Sequence, residues 1–207
     1  PVFLLPGVDE IERRLAALLW GRQAYRWSEQ DFKANAEDGH GIPWPVDYAD
    51  IEPWYGYVER FMGVQGEARG LPQLPDSEFI GQVPLNFVEE HFKSEVEGQL
   101  GRAITVGRTM NLMEDRPEQG RGRCQFRDQC WKGCSYGAAP STQATTLPAA
   151  QKTGNLHIRT DATVSELIYD PATQRVTGVR VIDTNTREET IYRARIIFLC
   201  ASCLGTT

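Results

Sequence analysis

No stretch of this chain is apolar over the ~18 residues that a membrane-spanning helix needs. The longest such run, 196–201, is only strand length. Clustered Lys and Arg are missing too: 22 basic residues stand against 28 acidic ones, a formal net charge of −6. That balance argues against a nucleic-acid partner or an anionic membrane surface held by charge. The one basic stretch, 116–127, also carries Glu118 and is followed by Asp128, and it reads as a solvated loop. The charged-then-apolar opening of a secretory leader is not seen. The chain opens at Pro1 rather than Met and closes just past an apolar strand that a parallel sheet would follow with a helix. It is therefore expected to be a piece of a larger protein.

Cysteine is scarce, with five in 207 residues, yet three fall in C-Q-F-R-D-Q-C-W-K-G-C-S-Y-G. Cys124, Cys130 and Cys134 are too close and too odd in number for a simple disulfide framework. Thiolates at such spacing can hold zinc or an iron–sulfur cluster, two can form a disulfide, or all three can be small apolar residues in a packed loop. His91 and His157, the candidate fourth ligands, lie far along the chain. These readings stay open on the residues alone.

The rest of the chain divides by periodicity. Ile11, Leu15, Leu18 and Leu19 predict an amphipathic helix over 9–20, with Asp9 as its cap. Residues 25–57 are rich in aromatics broken by Pro43, Pro45 and Pro53; their irregular spacing suits a core better than a sugar platform. Pro53 suits the first position of a helix carrying 54–62, with Gly63 as its cap. Residues 63–84 read as a long surface loop, 87–100 as a helix capped by Asn86, and 103–110 as a strand. Pro148 suits the first turn of a short helix ending before Gly154. Beyond it come five strand-like runs, 156–159, 163–169, 176–183, 189–192 and 195–200; the second to fourth are joined by turns as an antiparallel meander. The last is apolar on both faces, as a central parallel strand is. The fold class expected is α+β: a helical, loop-rich part over 1–155, then over 156–207 the meander and one strand of an α/β sheet.

The sequences W-G-R-Q-A-Y-R-W, W-P-V-D-Y-A-D-I-E-P-W-Y-G-Y-V-E-R-F-M-G-V-Q-G, C-W-K-G-C-S-Y-G-A-A-P-S-T and I-I-F-L-C-A-S-C-L together resemble the glucose–methanol–choline oxidoreductases. The likeness runs over most of 19–207 and is greatest to the bacterial gluconate, fructose and sorbitol dehydrogenase-like branch. It implies an FAD-dependent dehydrogenase that oxidises an alcohol, sugar or sugar acid, with an electron-acceptor subunit as a further partner. The competing class is an iron–sulfur electron-transfer or interaction domain without flavin chemistry of its own. By the family pattern the Val164 backbone pairs with adenine, Ala201 and Ser202 form a small-residue turn beside the cofactor, and Trp20, Gly21 and Arg22 lie near the flavin ring. In the sugar-dehydrogenase branch Cys124, Cys130 and Cys134 match the ligands of a 3Fe-4S cluster. Two family features are absent: the Gly-rich dinucleotide turn, whose place before Trp20 is taken by E-R-R-L-A-A, and the C-terminal His pair that acts on the alcohol. No catalytic residue is thus expected within these residues, which alone should be inactive and hold FAD weakly.

Overall fold

A computed structural model of the chain describes residues 2–4 and 21–200. Its contacts divide into two units, one over 21–148 and the other over 149–200 with 2–4. The helix expected over 9–20 lies outside the described residues.

The first unit holds three helices. Helix α1, Glu29–Glu37, starts where the Asp31 carboxylate accepts the Ser28 backbone N–H at 2.6 Å. It buries Phe32. Helix α2, Tyr48–Met62, begins with the reciprocal pair Asp47 and Asp50, each side chain accepting the other's backbone N–H at 3.1 Å. Pro53 therefore sits inside this helix rather than at its first position, because the acidic cap starts the helix earlier than the proline suggests. Gly63 closes it at φ 84°, and a Cβ there would land on the Leu112 side chain. Helix α3, Phe87–Leu100, is capped by Asn86, which accepts from Val88 and Glu89, and closes at left-handed Gly101, as its sequence predicts.

Between the helices runs a short ladder. Thr109 bridges Gln23 on one side and Gln65 on the other, and Val64 bridges Phe79 beyond. Only the end of the expected 103–110 strand is paired in this way. The segment 63–84 is not simply surface loop: Val64 and Gln65, like Leu112 and Arg108, are among the most buried side chains. Nor do the aromatics of 25–57 form a core. Phe32 is buried, whereas Trp27 and Trp44 meet it edge-on and stay half exposed, and Trp54 and Tyr57 lie outward on α2.

The basic stretch is not solvated throughout either. Arg116 donates to the carbonyls of Arg60 and Phe61 at the C-terminal end of α2, and buried Arg121 donates to Gly137 O at 2.8 Å. Helix ends leave carbonyls without partners, and a cation there also meets the negative end of the helix dipole.

In the second unit helix α4, Thr146–Lys152, stands at the join with Pro148 in its first turn. Strand β1, Val2–Leu4, pairs in parallel with β2, His157–Arg159. Strands β3, Ala162–Asp170, β4, Arg175–Asp183, and β5, Glu189–Arg193, form an antiparallel sheet in that order. Ala162, Val179 and Val181 are its buried centre, with Val164, Leu167, Tyr192 and Ile197 against them. Residues 195–200 are not a strand here. A strand apolar on both faces needs a neighbour along each edge and a layer on each side. Among the described residues Ile196 and Phe198 instead lie exposed.

Candidate functional site

The cysteine loop hangs from the end of the first unit's ladder. Leu112, fully buried, donates to Ala138 O at 3.1 Å and accepts from Cys124 N at 2.8 Å, while Gly122 N donates to Tyr136 O at 2.7 Å. These bonds close the base of an exposed loop over 123–136. Within it Phe126 and Asp128 take left-handed backbone conformations, and one 3₁₀ turn spans Cys130–Lys132. Cys124, Cys130 and Cys134 are half-buried free thiols. They are not brought together as a ligand set: among the described residues no three His, Cys, Asp or Glu side chains are placed to hold a metal ion. The backbone turns around Phe126, Asp128 and Cys130 set the course of the loop between the thiols.

Arg121 lies beneath this loop. Its acceptors are Gly137 O, Ala138 O, Phe61 O and the Gln119 side chain, all uncharged. Burial, with Arg116 nearby, pushes the guanidinium down to about 10. A second buried arginine, Arg108, is fully enclosed. It donates to Leu74 O and Pro75 O, pairs with Asp76 at 2.7 Å and lies over the Phe79 ring. Burial by itself would raise the Asp76 carboxyl, but the Arg69 and Gly70 amides and Arg108 hold it below its usual range. Composition and periodicity gave no sign of these enclosed cations: Arg108 fell within the strand expected over 103–110, and Arg121 within the basic stretch read as a solvated loop.

Of the residues matched to a flavin site, Gly21 is exposed at φ 75°, and Arg22 follows at φ 61°, a conformation that a non-glycine residue adopts at some cost. Arg22 O accepts Met110 N at 2.8 Å, so this turn is fastened to the ladder. Nearby in sequence to that rung, buried Asn111 Oδ1 finds no hydrogen-bond partner among the described residues, and neither does Arg22 Nε. A buried donor and a buried acceptor left unpaired cost roughly 1–3 kcal/mol each. Groups of this kind suit a ligand offering C=O and N–H on a ring edge. Trp20, Ala201 and Ser202 lie outside the described residues.

Val164 lies in β3, opposite Val181 on β4, just before a register shift at Glu166. Strand β3 is an edge strand among the described residues, so its outer backbone groups have no ladder partner there. A strand edge of this kind can pair with the donor and acceptor edge of a heterocycle.

The sequence profile of the GMC oxidoreductases matches residues 23–207. The chain is 27% identical over 192 residues to a 2-methyl-1,2-propanediol dehydrogenase of Mycolicibacterium austroafricanum, covering 87% of this chain and 32% of that protein. It is also 27% identical over 123 residues to a fructose dehydrogenase large subunit of Gluconobacter japonicus, covering 58% of this chain and 22% of that protein. The chain thus spans a third or less of the length of these relatives.

Proposed function

The chain belongs to the GMC oxidoreductase family, and on that premise we propose that it forms part of an FAD-dependent dehydrogenase acting on a small alcohol, sugar or sugar acid. The observation that carries this reading is the family match over 23–207. The names of the two relatives, one for a diol and one for fructose, support this substrate class. The name "large subunit" supports a companion subunit, to which the proposal gives the part of electron acceptor.

The residues present fit a flavin. Unpaired Arg22 Nε and Asn111 Oδ1 supply a donor and an acceptor for the polar edge of the ring. The outer edge of β3 at Val164 offers backbone groups to adenine, and Ala201 and Ser202, outside the described residues, are assigned to the cofactor on the family resemblance as residues with little side-chain bulk. Trp20 and Gly21 stand next to Arg22, with Gly21 adding no side chain to crowd the ring. When bound, FAD supplies the two-electron acceptor for hydride from the carbinol carbon. The hydroxyl proton goes to a base, which is assigned to no residue of 1–207. The division of labour between 1–155 and 156–207, one covering the cofactor and the other carrying part of its sheet, belongs to the same proposal.

An iron–sulfur cluster at Cys124, Cys130 and Cys134 is left outside this reading, because the loop as folded does not gather the thiols. The test is the cofactor content of the full-length protein purified without oxygen. One FAD released per chain on denaturation is the expected result, and flavin-free protein would overturn the reading. Stoichiometric iron in the same sample would restore the cluster. Residues 1–207 alone are expected to bind FAD weakly and to show no activity, since they lack the Gly-rich turn that supplies backbone N–H groups to pyrophosphate.

A further inference from the structure

Arg22 stands where the backbone favours glycine. It follows Gly21, at φ 75°, and itself takes φ 61°, so two successive residues are left-handed. A side chain in that region strains the chain and persists only where the surroundings fix it. They fix it here: Arg22 O accepts Met110 N at 2.8 Å, Gln23 bridges Thr109, and Ala24 N donates to Arg108 O at 2.9 Å. Residues 22–24 are thus pinned to the rung 108–110, where the Arg108 side chain is fully enclosed.

The side chain held at this cost is poorly satisfied. Arg22 is half-buried, its Nε is enclosed without a hydrogen-bond partner, and no carboxylate among the described residues pairs with its guanidinium. The enclosed arginines elsewhere in the unit are answered: Arg26 by Glu59, Arg108 by Asp76, and Arg121 by uncharged oxygens. Just past the Met110 rung, Asn111 Oδ1 is likewise enclosed and unpartnered among the described residues. A cation kept partly out of water with no counter-charge is stabilised when a negative charge arrives beside it.

Resting on the flavin site proposed above, we propose that Arg22 sets the reduction potential of the bound FAD, its guanidinium holding the negative charge that the ring gains on reduction. Hydride leaves the carbinol carbon with two electrons and one proton, so the ring becomes one unit more negative, while the hydroxyl proton goes to the base. A neutral donor to a ring carbonyl favours the reduced state only modestly. A positive charge favours it more, because a hydrogen bond between charged groups is roughly twice as strong as a neutral one. Arginine also keeps its charge throughout the working pH range.

The midpoint potential of FAD in the full-length protein, read by equilibration with redox dyes, tests this. Arg22→Gln keeps N–H donors and a side chain at the left-handed position but removes the charge. It should disfavour reduction at least about tenfold, a potential about 30 mV lower for a two-electron couple. Arg22→Lys, which keeps the charge, should stay closer to the wild type. The wild-type flavin should also take up sulfite, which bonds to the ring through its own electron pair and so adds negative charge there as hydride does. An unchanged potential in Arg22→Gln, equal shifts in both variants, or a wild-type flavin that ignores sulfite would each overturn the proposal, the last even where a variant does not fold. Flavin-free wild-type protein would instead overturn the proposed function itself, so the two failures are told apart.

Discussion

Arg26 and Glu59 meet in the interior of the first unit, with both side chains 5% exposed. The guanidinium grips both carboxylate oxygens, at 2.9 and 2.6 Å, and also reaches the Tyr48 hydroxyl, while Glu59 accepts the Glu78 amide at 2.9 Å. One pair thereby fastens the entry segment at Arg26, helix α2 and the 76–79 segment to each other. Glu59→Gln leaves the buried guanidinium with only the exposed Glu52 carboxylate, 3.6 Å away, as counter-charge and should destabilise the protein by about 3 kcal/mol in urea titration. Burial alone would raise the Glu59 carboxyl, but Arg26 and the Glu78 amide outweigh it and hold the group below its usual range. A carboxyl depressed by folding contributes stability that is complete above its unfolded pKa, about 4.3. That contribution disappears as pH falls through the lower folded value. The wild type should therefore lose stability on acidification below about pH 4.3, and Glu59→Gln should show a shallower acid slope. Equal slopes would remove Glu59 from the account.

At the scale of elements, the second sheet depends on how closely its strands approach. A Cβ at Gly178, in central strand β4, would lie 2.5 Å from the Tyr192 carbonyl oxygen on β5. Gly178→Ala must push β5 away, at a cost of about 1–3 kcal/mol. The amides of 189–193 should then exchange faster, and unchanged exchange there would contradict the register. The sequence shows some elements plainly and hides others for physical reasons. Helix α3 announces itself through Asn86, Glu89 and Gly101, and the meander through β-branched runs divided by Asp- and Thr-rich turns. Helix α1 escaped a reading led by the aromatics, though S-E-Q-D at 28–31 is its signal. Pro53, whose ring usually marks a beginning, put the expected start of α2 too late, although Asp47 and Asp50 are legible as capping acids and Asp47 is the actual cap. The enclosed arginines were illegible because burial of a cation depends on carbonyls contributed from distant segments: Leu74 and Pro75 for Arg108, Gly137 and Ala138 for Arg121. The thiol spacing, in turn, gave the sequence separation of three cysteines but not their separation in space.

For the whole molecule, the family is established by the match over 23–207, whereas these residues span a third or less of the length of the two relatives. The central claim is hydride transfer from an alcohol to bound FAD. It is tested most directly by adding small diols, fructose and sugar acids, one at a time, to the oxygen-free full-length protein and recording its visible flavin absorbance. Bleaching by at least one of them within the mixing time, with one carbonyl product formed per flavin, is the result predicted. Flavin that stays oxidised with every alcohol yet bleaches with a chemical reductant would contradict the claim.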